Sequence, residues 1–292
     1  MISSTNPPAI PRTYRVHRPA RFIAASAAAA AVVATMAGCS GSAAPKAPKA
    51  ASPATTRALK QIKLAADTSQ QVSSLTASLV VRSVGKSGGN LSGTIQMQMK
   101  PTTLIEAQFL IPSGHSKSIH MDEILTSKAI YIKDPAFLTG SKLGKAWIMV
   151  KISQLSSKSG VTFGSLLQNL EGSNPLDQTR LFTASKDVRQ VGTETVHGVP
   201  TTEYAGTYAP KTAYTGLTPR LRKLVGPMLR SIGTHPVRFR VWIDAQHLIK
   251  MADYTESVRG QTVTTTFVVT SVNKPVHVTL PTAGQVAPLP HL

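Results

Sequence analysis

One cysteine, thirteen acidic residues and few aromatic side chains bound what this 292-residue chain is able to do. A lone Cys39 excludes any disulfide within the chain, so stability has to come from a packed core. Phe, Trp and Tyr make up 5% of the residues, too few to interleave with basic side chains as a base-stacking platform, and nucleic acid is not expected as a partner. Asp and Glu total 13 against 32 Lys and Arg, a formal net charge of +19. That imbalance favours anionic surfaces, either lipid head groups or wall polymers. Several hydrolytic and cofactor signatures are missing too: the chain has no His-Glu-x-x-His, no Cys pair and no phosphate-cradling glycine loop with its lysine. Ser113-Gly114-His115 and His120-x-Asp122-Glu123 are the local clusters of hydrolytic residue types. His120 and Asp122 fall opposite Ile119 and Met121 on an alternating strand, where solvent is expected. His197 precedes Gly198 in an expected turn, and Glu194 and Asp244 are expected to cap or to pair with arginines. No catalytic residue, metal or cofactor is assigned, and the chain is not expected to be an enzyme.

What is present begins at the N-terminus. Arg12, Arg15, Arg18 and Arg21 precede an apolar run from Phe22 to Ala37, shorter than the ~20 residues that span a bilayer. The run ends in Met36-Ala37-Gly38-Cys39, a lipobox, after which Cys39 becomes the first mature residue and carries diacylglycerol on its thiol. The competing readings are an ordinary cleaved signal and a short membrane span. From Ser40 to Thr56 the residues are mainly Ala, Ser, Pro and Lys, with no large apolar side chain before Leu59. Such a segment is a tether, since it lacks the apolar surface to fold. The expected organisation is therefore a signal at 1–38, a tether at 39–56 and one domain at 57–285. A lipid-anchored position on the extracytoplasmic face of the cell membrane follows.

Within the domain, apolar residues recur every second position. Leu75, Ala77, Leu79 and Val81 share a face, as do Ile95, Met97 and Met99; Ile105, Ala107 and Phe109; Ile119 and Met121; and Ile130 and Ile132. These are strands with one dry face. Turn residues at Gly88-Gly89-Asn90, Lys100-Pro101 and Pro112-Ser113-Gly114 make successive strands antiparallel. A further strand covers 147–152, helices are expected over Val161–Leu170 and Pro175–Phe182, and strands resume at 185–196 and 199–208. Thr218-Pro219 opens a helix with Leu221, Leu224, Val225, Met228, Leu229 and Ile232 at helical spacing, kinked at Pro227. Its other side carries Arg220, Arg222, Lys223 and Arg230, which are expected to contact an anionic membrane surface. Three last strands use Val237, Phe239, Val241 and Ile243; residues 247–256; and Val263, Thr265, Phe267 and Val269. Ahead of them all, Thr56–Ser73 is expected to form a helix capped by Thr55 or Thr56, with Leu59, Ile62 and Ala66 inward. The class is α+β, an antiparallel sheet whose apolar face is covered by helices.

Three segments carry a family resemblance. Val191-Gly192-Thr193-Glu194-Thr195-Val196-His197-Gly198-Val199-Pro200-Thr201-Thr202-Glu203-Tyr204 resembles the strand-turn-strand of the actinobacterial LppX/LprG-type lipoproteins. Val241-Trp242-Ile243-Asp244 with Leu248-Ile249-Lys250 resembles their next hairpin, and Asn273-Lys274-Pro275-Val276-His277-Val278-Thr279-Leu280-Pro281 their end. The resemblance implies a LolA-like half-barrel, a strongly curved antiparallel sheet with helices over its concave face and a hydrophobic cavity that holds acyl chains. The strands place Ile95, Met97, Met99, Ile105, Ala107, Phe109, Ile119, Met121, Val237, Phe239 and Val241 as its lining. Met97, Met99, Met121, Met149 and Met228 supply adaptable side chains for an irregular guest. The implied function is a membrane-anchored carrier for an acylated lipid or lipoglycan, working as a monomer. Two other classes stay open: an envelope sensor or interaction lipoprotein with a filled core, and an envelope hydrolase with a dispersed site.

Overall fold

The computed structural model describes residues 51–85, 89–113, 117–133, 145–151, 176, 179–219, 222, 226, 229–230, 232–258 and 260–288. Its first element is helix α1, Pro53–Ser69. The helix starts earlier than Thr56 because Ser52 is the N-cap, its hydroxyl accepting from the Thr55 amide, with Pro53 in the first turn. Ala58, Ile62, Ala65, Ala66 and Ser69 form the buried stripe, while Leu59 is only half-buried.

Six strands then follow as a meander: β1 (Ser74–Val84), β2 (Gly89–Gln98), β3 (Leu104–Ser113), β4 (Lys117–Thr126), β5 (Ala129–Lys133) and β6 (Trp147–Lys151). The expected helices at 161–170 and from Pro175, with Asn174 as its cap, lie largely outside the described residues. Thr179–Phe182 is helical, here α2. A second meander comprises β7 (Arg189–Val196), β8 (Val199–Tyr208), β9 (Val237–Asp244), β10 (Ile249–Val258) and β11 (Gln261–Val272). Between β8 and β9 the short helix α3, Pro210–Gly216, was not foreseen. Pro210 sits at its start, and the segment lacks the length for a periodic signal. Beyond it Pro219, Arg222, Gly226, Leu229, Arg230 and Ile232 are helical. Leu229 and Ile232 are buried as their spacing predicts.

The two meanders join where β1 pairs with β11, giving one 12-stranded sheet in the order β12-β6-β5-β4-β3-β2-β1-β11-β10-β9-β8-β7. Every pairing is antiparallel except that of β12, Val286–Pro288, which runs parallel to β6. This closing strand extends past the expected domain end at 285. The sheet is curved and unclosed, an α+β half-barrel.

Local sequence explains the tight places. His197 and Gly198 both take positive φ, 46° and 79°, the pair of left-handed residues that a two-residue hairpin between Val196 and Val199 requires. Gly93 faces Phe109 across the β2–β3 ladder, and a Cβ there would lie 2.8 Å from the ring and overlap the Gln108 carbonyl oxygen. Helix α1 packs on β7 and α2 on β8, where Phe182 stacks on Phe239 with centroids 4.3 Å apart.

Candidate functional site: an apolar sheet face with an unpartnered carboxyl

A single apolar cluster crosses nine adjacent strands, from β5 to β8. It takes Ile130 from β5, Met121 and Leu125 from β4, Ile105, Ala107 and Phe109 from β3, and Ile95 and Met97 from β2. Leu75 and Ala77 continue it on β1, Phe267 and Val269 on β11, Ile249 and Ala252 on β10, Val237, Phe239, Val241 and Ile243 on β9, and Tyr204 and Tyr208 on β8. The strand period of two produces this, because each alternate side chain falls on the same face. The structure thus places together Ile95, Met97, Ile105, Ala107, Phe109, Met121, Val237, Phe239 and Val241, all expected to line one space, with Met99 half-buried against them. Ile119 is half-buried and stands outside the cluster. Met149 is half-buried while its neighbours Ile148 and Val150 are buried, and Met228 lies outside the described residues.

Into this face projects Glu123, in phase with Met121 and Leu125 on β4 and paired with Ala107 of β3 and Ile132 of β5. It is 1% exposed, and neither carboxyl oxygen has a hydrogen-bond partner. Burial alone pushes its pKa from 4.5 up to about 8, since no positive charge or donor compensates. The residue was legible as one of a polar trio with His120 and Asp122. Its phase, two positions from Met121 and Leu125, was the signal that separates it from them. His120 is exposed as expected, and Asp122 is half-buried with Lys133 at 3.2 Å.

A second acid, Glu256 on β10, shares the inner face with Ala252, Tyr254 and Val258. Burial raises its pKa to about 7. Its charge and that of Tyr254 add to burial in holding the Tyr208 hydroxyl protonated. Alternation along β1 places the Glu256 level at Ser83 and the Glu123 level at Ala77, so the two acids sit at separate heights on the sheet.

The opposite face of the sheet is built differently. Arg240 Nε donates to Glu203 Oε1 at 2.6 Å, its guanidinium lies 4.8 Å from the centre of the Trp242 ring, and Trp242 Nε1 donates to Glu194 Oε2 at 2.9 Å. Val196, Trp242 and Met251 form a small buried cluster beside them. Glu194 therefore accepts from an indole, and its charge also acts on Arg240. Asp244 caps a turn, its Oδ1 accepting from the Gln246 and Leu248 amides. Near α1, a cleft of about 440 Å³ is lined by Gln61, Thr193, Thr202, Tyr204, Ile243 and His247 among others. None of the residues expected to hold a guest borders it.

Of the basic quartet, Arg222 and Arg230 are exposed. Arg222 donates to the Thr215 carbonyl oxygen at 2.7 Å and lies over the Tyr214 ring. Arg220, Lys223 and Pro227 lie outside the described residues, as do Cys39, Gly114 and His115. Among the described residues no three His, Cys, Asp or Glu side chains gather as metal ligands, and no helix is long and apolar enough to cross a membrane.

No family model matches the chain. A Streptomyces griseus protein, described as an uncharacterized 31.2 kDa protein in the rplA-rplJ intergenic region, is 26% identical over 212 residues, 66% of this chain. The match spans 65% of that protein's length, just under two thirds. Among solved structures, LprF from Mycobacterium bovis overlaps 79% of this chain and 98% of its own, with 13% identity and a TM-score of 0.46. The Mycobacterium tuberculosis lipoprotein LppX overlaps 77% and 99%, with 18% identity and a TM-score of 0.43.

Proposed function

We propose that the protein is an envelope lipoprotein that shields the acyl chains of a lipid or lipoglycan against the inner face of its sheet and carries them between membrane and envelope. The observation that carries this reading is the apolar face that continues over nine strands, lined in part by methionines that adapt to an irregular guest. Each methylene moved from water onto such a face gains about 0.8 kcal/mol, so ten buried carbons are worth roughly 8 kcal/mol before ordering costs. Cys39 anchors the mature protein as a monomer on the extracytoplasmic face. Arg220, Arg222, Lys223 and Arg230 lean on anionic head groups, each contributing about 1 kcal/mol at low salt. Catalysis has no part in this role.

Mass spectrometry of the gently purified protein tests the cargo. Acylated lipid at near-stoichiometric amounts is expected. Its complete absence favours the second reading, an envelope sensor or interaction protein with a filled core, which the 1–4% exposure of Ile95, Met97, Ala107 and Met121 also suits. The anchor has its own test. Cys39→Ala should release the mature protein from membranes, because two or three chains hold far more firmly than one. A variant that stays bound after a salt wash contradicts the anchor.

A further inference from the structure

Native proteins rarely bury a carboxyl without a partner, since the group then bears its whole desolvation cost. Here the two buried glutamates of the sheet differ in this respect. Glu203, on the outer face, is 7% exposed and receives the Arg240 guanidinium. Glu123, on the inner face, is 1% exposed with both oxygens unpartnered. Its surroundings are apolar on each strand that flanks it: Met121 and Leu125 on its own, Ala107 on β3 and Ile132 on β5.

We propose that Glu123 is the polar contact of the cargo site, a carboxyl that hydrogen-bonds a hydroxyl group borne by an otherwise apolar lipid. The inference rests on the acyl-chain reading above and names the chemistry that the site selects. A carboxylic acid presents one donor and one acceptor, the complement of a hydroxyl. Burial favours the neutral acid, so contact with a hydroxyl brings no charge into the apolar face. An ammonium partner would require two ions to leave water for this face, a cost that their attraction repays only with full hydrogen bonding. A plain hydrocarbon leaves both oxygens as they are. A hydroxylated chain, or the free hydroxyl of a glycerolipid, fills the deficit that Met121, Leu125, Ala107 and Ile132 leave.

Three matched probes separate the possibilities: oleyl alcohol, octadecene and oleylamine, each titrated into the full-length protein after its own lipid is removed. The parent should prefer the alcohol to the alkene by about tenfold, equivalent to 1.4 kcal/mol. Glu123→Gln, a neutral group with donor and acceptor, should keep that preference. Glu123→Leu should lose it. Difference infrared spectra supply a readout independent of the Leu variant. The stretch of the protonated Glu123 carboxyl should shift on adding alcohol, stay unmoved with octadecene, and be missing in Glu123→Gln. Equal affinity for alcohol and alkene, an unmoved carboxyl stretch, or preference for the amine each overturns the proposal while leaving the acyl carrier intact. A parent that binds none of the three overturns the carrier reading itself.

Discussion

Two buried glutamates, one on each face of the sheet, are treated in opposite ways. On the outer face the Trp242 indole is answered by Glu194, Glu203 by Arg240, and the guanidinium by both carboxylate and ring, while Asp253 opposite Arg240 keeps one buried oxygen, Oδ1, without a partner. On the inner face Glu123 stands among aliphatic side chains with nothing to answer it. The outer arrangement is what a sheet needs in order to bury polar atoms without loss of stability. The inner one costs stability, and groups that do so mark the places where a fold gives way to function.

The largest effect that sharpens this contrast is a gain. Glu123→Leu should stabilise the protein by about 3 kcal/mol near neutral pH, because it removes an unpaired buried polar group and fills the same space. Urea denaturation at pH 7.5 measures it, and a loss of stability would mean that the carboxyl has a hidden partner. The opposite sign is expected on the other face. Arg240→Met should cost about 2 kcal/mol by leaving Glu203 buried without its donor. A neutral result there would erase the difference between the faces.

A more gradual effect appears in the pH dependence. Glu123 rises from 4.5 to about 8 on folding, so between those values the folded state holds the proton that the unfolded chain has released. Its contribution is therefore complete below about 4.5 and is lost as pH rises towards 8, with a slope of up to about 1.4 kcal/mol per pH unit. Glu256, raised to about 7, adds to the decline over the lower part of that range. Denaturation midpoints from pH 5 to 9 should fall in the parent. In Glu123→Gln the portion from pH 7 to 8 should flatten.

Much of the architecture was written in the period of two. Ile95 and Met97 on β2, or Val237, Phe239 and Val241 on β9, declare their face without reference to any other strand, because one side is dry and the other wet. The pairing of β1 with β11 was not legible, since nothing local in Leu75–Val81 names Val263–Val272 as its partner. Helix α3 and β12 were too short to carry a period. The start of α1 was missed because the Ser52-Pro53 cap precedes the first apolar residue of its stripe, so the cap rather than the stripe set the boundary. The apolar inner face was legible in the sequence, and the acid within it was not. Glu123 is charged by type, and only its phase with Met121 and Leu125 places it inside.

The central claim is that the inner face makes room for a guest, and Ala107→Trp tests it most directly. Ala107 lies on that face between Ile95 and Glu123. In a filled core the indole overpacks, at a cost of about 1–3 kcal/mol, and a domain of this size loses about 2–4 °C of melting temperature for each kcal/mol. If the face accommodates acyl chains, the ring takes space that a chain would use. The melting temperature of the lipid-free variant should then equal or exceed that of the lipid-free parent; a fall of several degrees would contradict the account.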